Sequence, residues 1–217
     1  MELVRGVVVS FEASSYTATV RYEESLSTVQ TGVAVSRSIP AWQLRPGDGV
    51  VVAVFDPLVA SDRCVIAVAG VTRSAPGCRV YRNTSQSIPN VTDTVLAWNA
   101  VRYDTDGMWN SGTPTRLTAQ TAGRYLLGAA VTFDGSSGGG WRQVALRSSV
   151  SARVAIGGSP ARGAGAGTHV VPLVTDWLLS VGEYVETYVY HDSGGALSVV
   201  PYGEPFSLEM WAHWIEA

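Results

Sequence analysis

The sequence contains no lysine. All fifteen of its basic residues are arginine, set against eighteen carboxylates, for a formal net charge of −3 at pH 7. That balance gives no general attraction to a phosphate backbone or an anionic membrane. Charge of either sign is scarce. Asp, Glu and Arg make up 15% of the chain, well below the roughly 25% of an ordinary globular protein. The surface must then rely on Ser, Thr, Gly and Asn, which suits a repetitive assembly or a large buried interface. Cysteine is nearly missing. Cys64 and Cys78 are too few for a disulfide scaffold and match no metal-ligand spacing. Each reads as a small buried residue at a strand edge, with a bridge between them left open. Long apolar runs are also absent. No stretch reaches the roughly 18 residues of a membrane helix. Glu2 and Arg5 interrupt the first apolar run before it resembles a secretory leader. The expectation is a chain made in the cytoplasm, with no signal peptide and no membrane insertion.

What is present is β-sheet pattern. Hydrophobic residues make up 46% of the chain, enough for a real core. Short runs rich in Val, Thr and Tyr recur between Gly, Pro, Asn and Asp clusters, and no helical period of useful length appears. The expected fold class is all-β. Residues 1–70 carry five such runs, the count of a small barrel whose closure removes free sheet edges. Residues 71–77 read as a linker of small and turn-forming residues. Residues 78–217 carry about ten runs, as in a two-sheet jelly roll.

Few residue groupings suggest chemistry. Asp104-Thr105-Asp106-Gly107 has the opening spacing of a calcium loop but lacks the later acidic ligands. It reads as a turn capped by its own Asp. Gly163-Ala164-Gly165-Ala166-Gly167 lacks the Lys-Ser/Thr of a phosphate loop and reads as a connection between strands. His191-Asp192-Ser193 holds the letters of a hydrolase triad, but adjacent positions on a strand end are not expected to form a relay. No cofactor, metal site or catalytic residue is expected. Tyr16, Tyr22, Arg5 and Arg21 offer the barrel a weak nucleic-acid surface, which Glu23 and Glu24 oppose.

Two segments resemble known families. The order of runs in residues 1–70, with Arg45-Pro46-Gly47-Asp48-Gly49 before an apolar strand, resembles the oligonucleotide/oligosaccharide-binding barrel, in the form found in phage tail and baseplate proteins. Residues 78–217 resemble the globular head of complement component one-q, within the tumour-necrosis-factor-like jelly rolls. The resemblance is carried by Trp98 to Met108, Ala122-Gly123-Arg124-Tyr125-Leu126-Leu127, Ser180-Val181-Gly182-Glu183-Tyr184-Val185 and Glu204-Pro205-Phe206-Ser207-Leu208. It departs from the family at the last strand, where Leu208 replaces a small glycine. The barrel segment stands where the animal proteins of that family carry a collagen stem.

The second resemblance implies a homotrimer. The residues give their own reason to expect an interface. One face of Tyr184 to Tyr190 is Tyr184, Glu186, Tyr188, Tyr190, too aromatic to leave wholly wet, and Tyr and Trp favour interfaces. Tyr188, Tyr190 and Trp211 are therefore the candidate interface, with cover by loops of the same chain as the alternative. Trp109 and Trp141, near loops, are the candidate ligand-contact aromatics. Together these features read as a non-enzymatic virion protein. The barrel would attach to capsid or tail subunits, and the jelly roll would project outward as a capsid decoration or a tail fibre or tip that meets a host-surface glycan or protein. A bacterial binding module with the barrel as spacer is the competing reading.

Overall fold

The computed structural model describes residues 1–23, 28–59, 61–70, 73–135, 139–161, 168–202 and 208–216. The chain divides into two compact units, Met1–Ala75 and Pro76–Glu216.

The first unit is a closed five-stranded barrel: β1 (Glu2–Glu12), β2 (Thr17–Tyr22), β3 (Val29–Val35), β4 (Gly49–Val54) and β5 (Arg63–Ala69), in the order β1-β2-β3-β5-β4. β1 closes the ring by pairing with both β2 and β4, and β3 meets β5 in parallel. Alternate positions fill the interior, among them Val8, Val20, Val33, Val50, Val52 and Val65. Tyr16 and Tyr22 join this core and are therefore unavailable as stacking platforms for nucleic acid bases. Tyr16 has a left-handed φ of 55°, a conformation costing about 1–3 kcal/mol. It is held there because its hydroxyl donates to the Ile39 carbonyl and the Arg37 guanidinium lies 4.1 Å over its ring.

The boundary differs from the expected linker at both ends. Arg73 donates to both Asp48 carboxylate oxygens, at 2.7 and 2.8 Å, and to the Gln43 carbonyl, so it belongs to the barrel unit. Gly77 already lies in the first strand of the second unit.

The second unit is a sandwich of two sheets. One comprises β6 (Gly77–Arg82), β7 (Gln86–Ile88), β9 (Ala100–Asp104), β11 (Gly123–Phe133), β14 (His169–Leu179), β16 (Leu197–Val199) and β17 (Leu208–Glu216). The other comprises β8 (Thr94–Val95), β10 (Arg116–Thr118), β12 (Trp141–Ser148), β13 (Ala155–Pro160) and β15 (Tyr184–His191). β11 is the spine of the larger sheet. It pairs with β14 along its full length and, on its other edge, with β17 and then β16. The inward positions of both sheets form one core: Tyr125, Leu127, Ala129, Val131 and Phe133 from β11, Val185 and Val189 from β15, Met210 and Ala212 from β17.

Gln86–Ile88 forms a strand of only three residues. β13 runs through Gly157 and Gly158 to Pro160. The glycine-rich segment Gly163 to Gly167 lies outside the described residues. So do Glu24 and Glu204 to Ser207.

Candidate functional site

The larger sheet turns a mixed surface outward. On β14 the outward positions are Val170, Pro172, Val174, Asp176 and Leu178. Val170 is 51%, Val174 56% and Leu178 64% exposed. Leu126 of β11 continues this aliphatic band and faces Asp176 across the strand pair. β14 pairs only with β11 among the described residues, so the band borders a sheet edge eleven residues long. An apolar, unpaired edge of this length invites another chain, and soluble proteins usually blunt it with charge or proline. Here Pro172 is one such device. Asp176 is another, although its charge is partly met by Arg124 at 3.0 Å.

Across β17 and β6 the same face becomes aromatic and ionic. Trp211 lies beside Gly128 on β11 and Arg79 on β6. The Arg79 guanidinium sits 5.8 Å from the indole centre. Arg79 also grips Glu209 through two hydrogen bonds of 2.6 and 2.9 Å, and Arg102 reaches the same carboxylate at 3.3 Å. Glu209 is buried although it lies on the outward face, because these arginines and Tyr81 roof it. The bonds to Glu209 push the Arg79 pKa further up. His213 lies 2.8 Å from the Tyr103 hydroxyl through Nε2. Partial burial, then the Arg79 charge, hold its imidazole below its ordinary pKa.

The smaller sheet carries the tyrosine row. Val185, Thr187 and Val189 are buried, and Tyr184, Glu186, Tyr188 and Tyr190 face outward, as the alternation predicts. The row is largely satisfied within the chain. Arg116 covers Tyr184 at 4.0 Å and Arg147 covers Tyr188 at 3.9 Å. The Tyr188 hydroxyl donates to Glu186, which also accepts from Thr115 and Arg116. Tyr188 and Tyr190 therefore stand on one sheet and Trp211 on the other, so the three do not form one continuous patch on a single chain. Sequence alternation shows which side of a strand a residue takes. It does not show which sheet the strand joins.

Trp109 is half-buried against the core and borders an open depression of about 350 Å³ with Arg82, Asn99 and Pro114. Trp141, 40% exposed, starts β12 and packs beside Gly158. Asp104 accepts from the backbone N–H groups of Asp106, Met108 and Trp109, and Gly107 takes φ +68°, so this segment is a capped turn. Among the described residues no three metal-ligating side chains cluster. His191 and Ser193 lie within 2.9 Å between Nδ1 and Oγ, while the Asp192 carboxylate accepts from the Trp141 N–H instead of the imidazole. The imidazole is buried and its Nε2 lies 2.9 Å from the Ile88 carbonyl, which ties β15 to β7. Both cysteines are free thiols.

No protein-family model matches this sequence, and no curated protein matches it either. Solved structures do. The Eiger tumour necrosis factor from S. frugiperda aligns over 67% of this chain and 96% of its own, at 9% identity and a TM-score of 0.50. The second unit is a tumour-necrosis-factor-like jelly roll. The globular domain of zebrafish complement 1qA protein is also matched, over 64% of this chain and 97% of its own, at 12% identity and a TM-score of 0.43. At such identities the likeness is one of fold. The jelly-roll unit accounts for a share of the chain close to that of the Eiger alignment.

Proposed function

We propose that the chain is a non-enzymatic, trimeric structural protein of a phage virion, with the barrel as its anchor and the jelly roll projecting outward. The observation that carries self-association is the aliphatic band of Val170, Val174, Leu178 and Leu126 at an edge of the larger sheet that is unpaired among the described residues. Burying such a band against a second copy gives roughly 25 cal/mol per Å² of apolar area. The ionic cluster around Glu209 lies on the same face and supplies orientation. The non-enzymatic reading is supported by the engagement of the polar side chains in structure: Asp104 caps a turn, His191 ties two strands, and Glu209 holds two arginines. The virion setting is supported by the low charge content and by the closed five-stranded barrel in the segment whose sequence resembles tail-type barrels.

Light scattering on the purified chain tests this reading. A threefold mass is expected, and Val174→Asp with Leu178→Asp should return it to a single chain. A single-chain mass for the unaltered protein at tens of micromolar would remove the trimeric reading.

The competing reading, a binding module, has its own observation. Outward surface that the proposed assembly does not use carries an open groove beside Tyr190.

A further inference from the structure

Tyr190 differs from the other two rings in its row. Tyr184 and Tyr188 each lie under an arginine, whereas among the described residues no cation covers Tyr190. It lines an open groove of about 540 Å³ together with Val91, Thr92, Asp93, Gln143 and Arg153. That volume lies within the range of small-molecule sites. Gln143 is directly opposite Tyr190 in the β12–β15 register. The Gln143 amide, the Arg153 guanidinium and the Tyr190 hydroxyl form no hydrogen bond or ion pair among the described residues. Asp93 is different. Its carboxylate is already paired with Arg147, so among the described residues the groove's uncompensated charge is the Arg153 cation.

The groove wall is also held in an unfavourable shape. Val91 has a φ of 54°, which a β-branched residue rarely adopts. It is fixed by its N–H donating to the His191 carbonyl at 2.8 Å. Asn90 next to it accepts from the Gly194 N–H at 2.9 Å, and the Thr92 hydroxyl donates to the Asn90 carbonyl at 3.1 Å. Strain retained by its surroundings concentrates at ligand-holding segments. A wall set in advance lowers the ordering cost of binding.

We propose that this groove binds a carboxylated sugar residue, a uronic or sialic acid unit of a surface glycan. The Arg153 guanidinium offers a charge-assisted pair to the carboxylate. The electron-rich face of Tyr190 receives the weakly positive C–H face of the sugar ring. Gln143, Thr92 and the second lone pairs of Asp93 match ring hydroxyls. This inference takes up the ligand-binding reading given above, and it holds for one chain whatever the oligomeric state.

The test is titration of the full chain, by calorimetry or ligand-observed NMR, with glucuronic acid, N-acetylneuraminic acid, glucose, acetate and a dipeptide with a free carboxylate. The expected result is saturable binding of at least one acidic sugar, about tenfold or more tighter than glucose, acetate or the dipeptide. Arg153→Gln should weaken it by about tenfold or more, and Gln143→Ala by a smaller factor. Both positions lie at the surface or sheet face, so circular dichroism should show an unchanged fold. No saturable binding of either acidic sugar would overturn the proposal. So would binding unaffected by Arg153→Gln, or a dipeptide or acetate bound as tightly as the sugars. Light scattering on the same samples separates the two readings. A single chain that binds the sugar removes the trimer and keeps the groove, and a trimer that binds none does the reverse.

Discussion

The indole of Trp211 occupies the space that a β-carbon on Gly128 would fill: Cε2 and Cζ2 both come well inside van der Waals distance of that position. The two residues are direct neighbours in the β11–β17 register. Glycine is needed at 128 for room, so that the ring can lie flat against the strand. Gly128→Ala should destabilise the jelly roll by about 1–3 kcal/mol, the usual cost of overpacking. Trp211→Ala in the same chain should recover most of that loss. A thermal or urea double-mutant cycle measures the coupling. Additive effects would place the indole elsewhere.

Glu209 holds Arg79 and Arg102 together under the outward surface of the same sheet. Glu209→Gln keeps the shape and removes the charge. It leaves two cations facing each other and weakens the bonds to both. A loss of about 1.5–3 kcal/mol is expected from urea unfolding, moderated because both arginines are partly solvated.

The Asp48–Arg73 clasp makes a pH-dependent prediction for the barrel. Burial acts to raise the Asp48 pKa. The hydrogen bonds and charge of Arg73, with the Arg45 N–H, outweigh it, and the net shift is downward from 3.8. The unfolded chain therefore binds a proton before the folded one as pH falls. The clasp's contribution is present above about pH 4 and is lost as pH drops through the lowered value. Arg73→Ala should lower barrel stability by about 1–2 kcal/mol at pH 7 and by progressively less toward pH 2. Melts across that range check it.

These residues also show where the sequence was readable. Alternation placed Val185, Thr187 and Val189 inward and their tyrosine neighbours outward, because a half-buried strand leaves period two in the sequence. The same pattern carried no information on partners. Trp211 and Tyr188 looked equivalent, yet long-range pairing sent them to different sheets. Gln86–Ile88 was hidden because three residues are too few to show a period. Arg73 looked like linker because its partner, Asp48, lies 25 residues away. The groove at Tyr190 was unreadable for the same reason: its lining comes from a turn, two strands and Arg153, which only the fold brings together.

Cys78 is fully buried, and burial, then the Asp104 carboxylate beside it, push its thiol far above the ordinary value. The reactive form is the thiolate. Cys64 is raised more modestly, by burial alone. With a coloured aromatic disulfide at pH 8, the folded chain should release far less than two equivalents, with Cys64 slow and Cys78 silent. Denaturant should release both. Rapid reaction of Cys78 in the folded chain would contradict its placement in the jelly-roll core.

His213 makes the opposite test of pH from Asp48. Its imidazole is held below the ordinary 6.5 by partial burial and by Arg79, with Tyr103 as its hydrogen-bond neighbour. A base with a depressed pKa is protonated in the unfolded chain before the folded one. Between 6.5 and the lowered value the unfolded state binds more protons, so stability falls as pH falls through that window and is regained as pH rises. Below the lowered value the loss is complete and flat with respect to this group. His213→Gln keeps a polar side chain on the sheet face without a titrating proton. Urea midpoints measured from pH 8 to pH 5 should decline in the parent protein and decline less in the variant. If subunits meet on this face, the same titration should also appear in the mass of the assembly, dissociating on the acid side. If both proteins gave identical slopes, the imidazole would be as solvated in the folded chain as in the unfolded one, and the ionic cluster beside it would not reach that far.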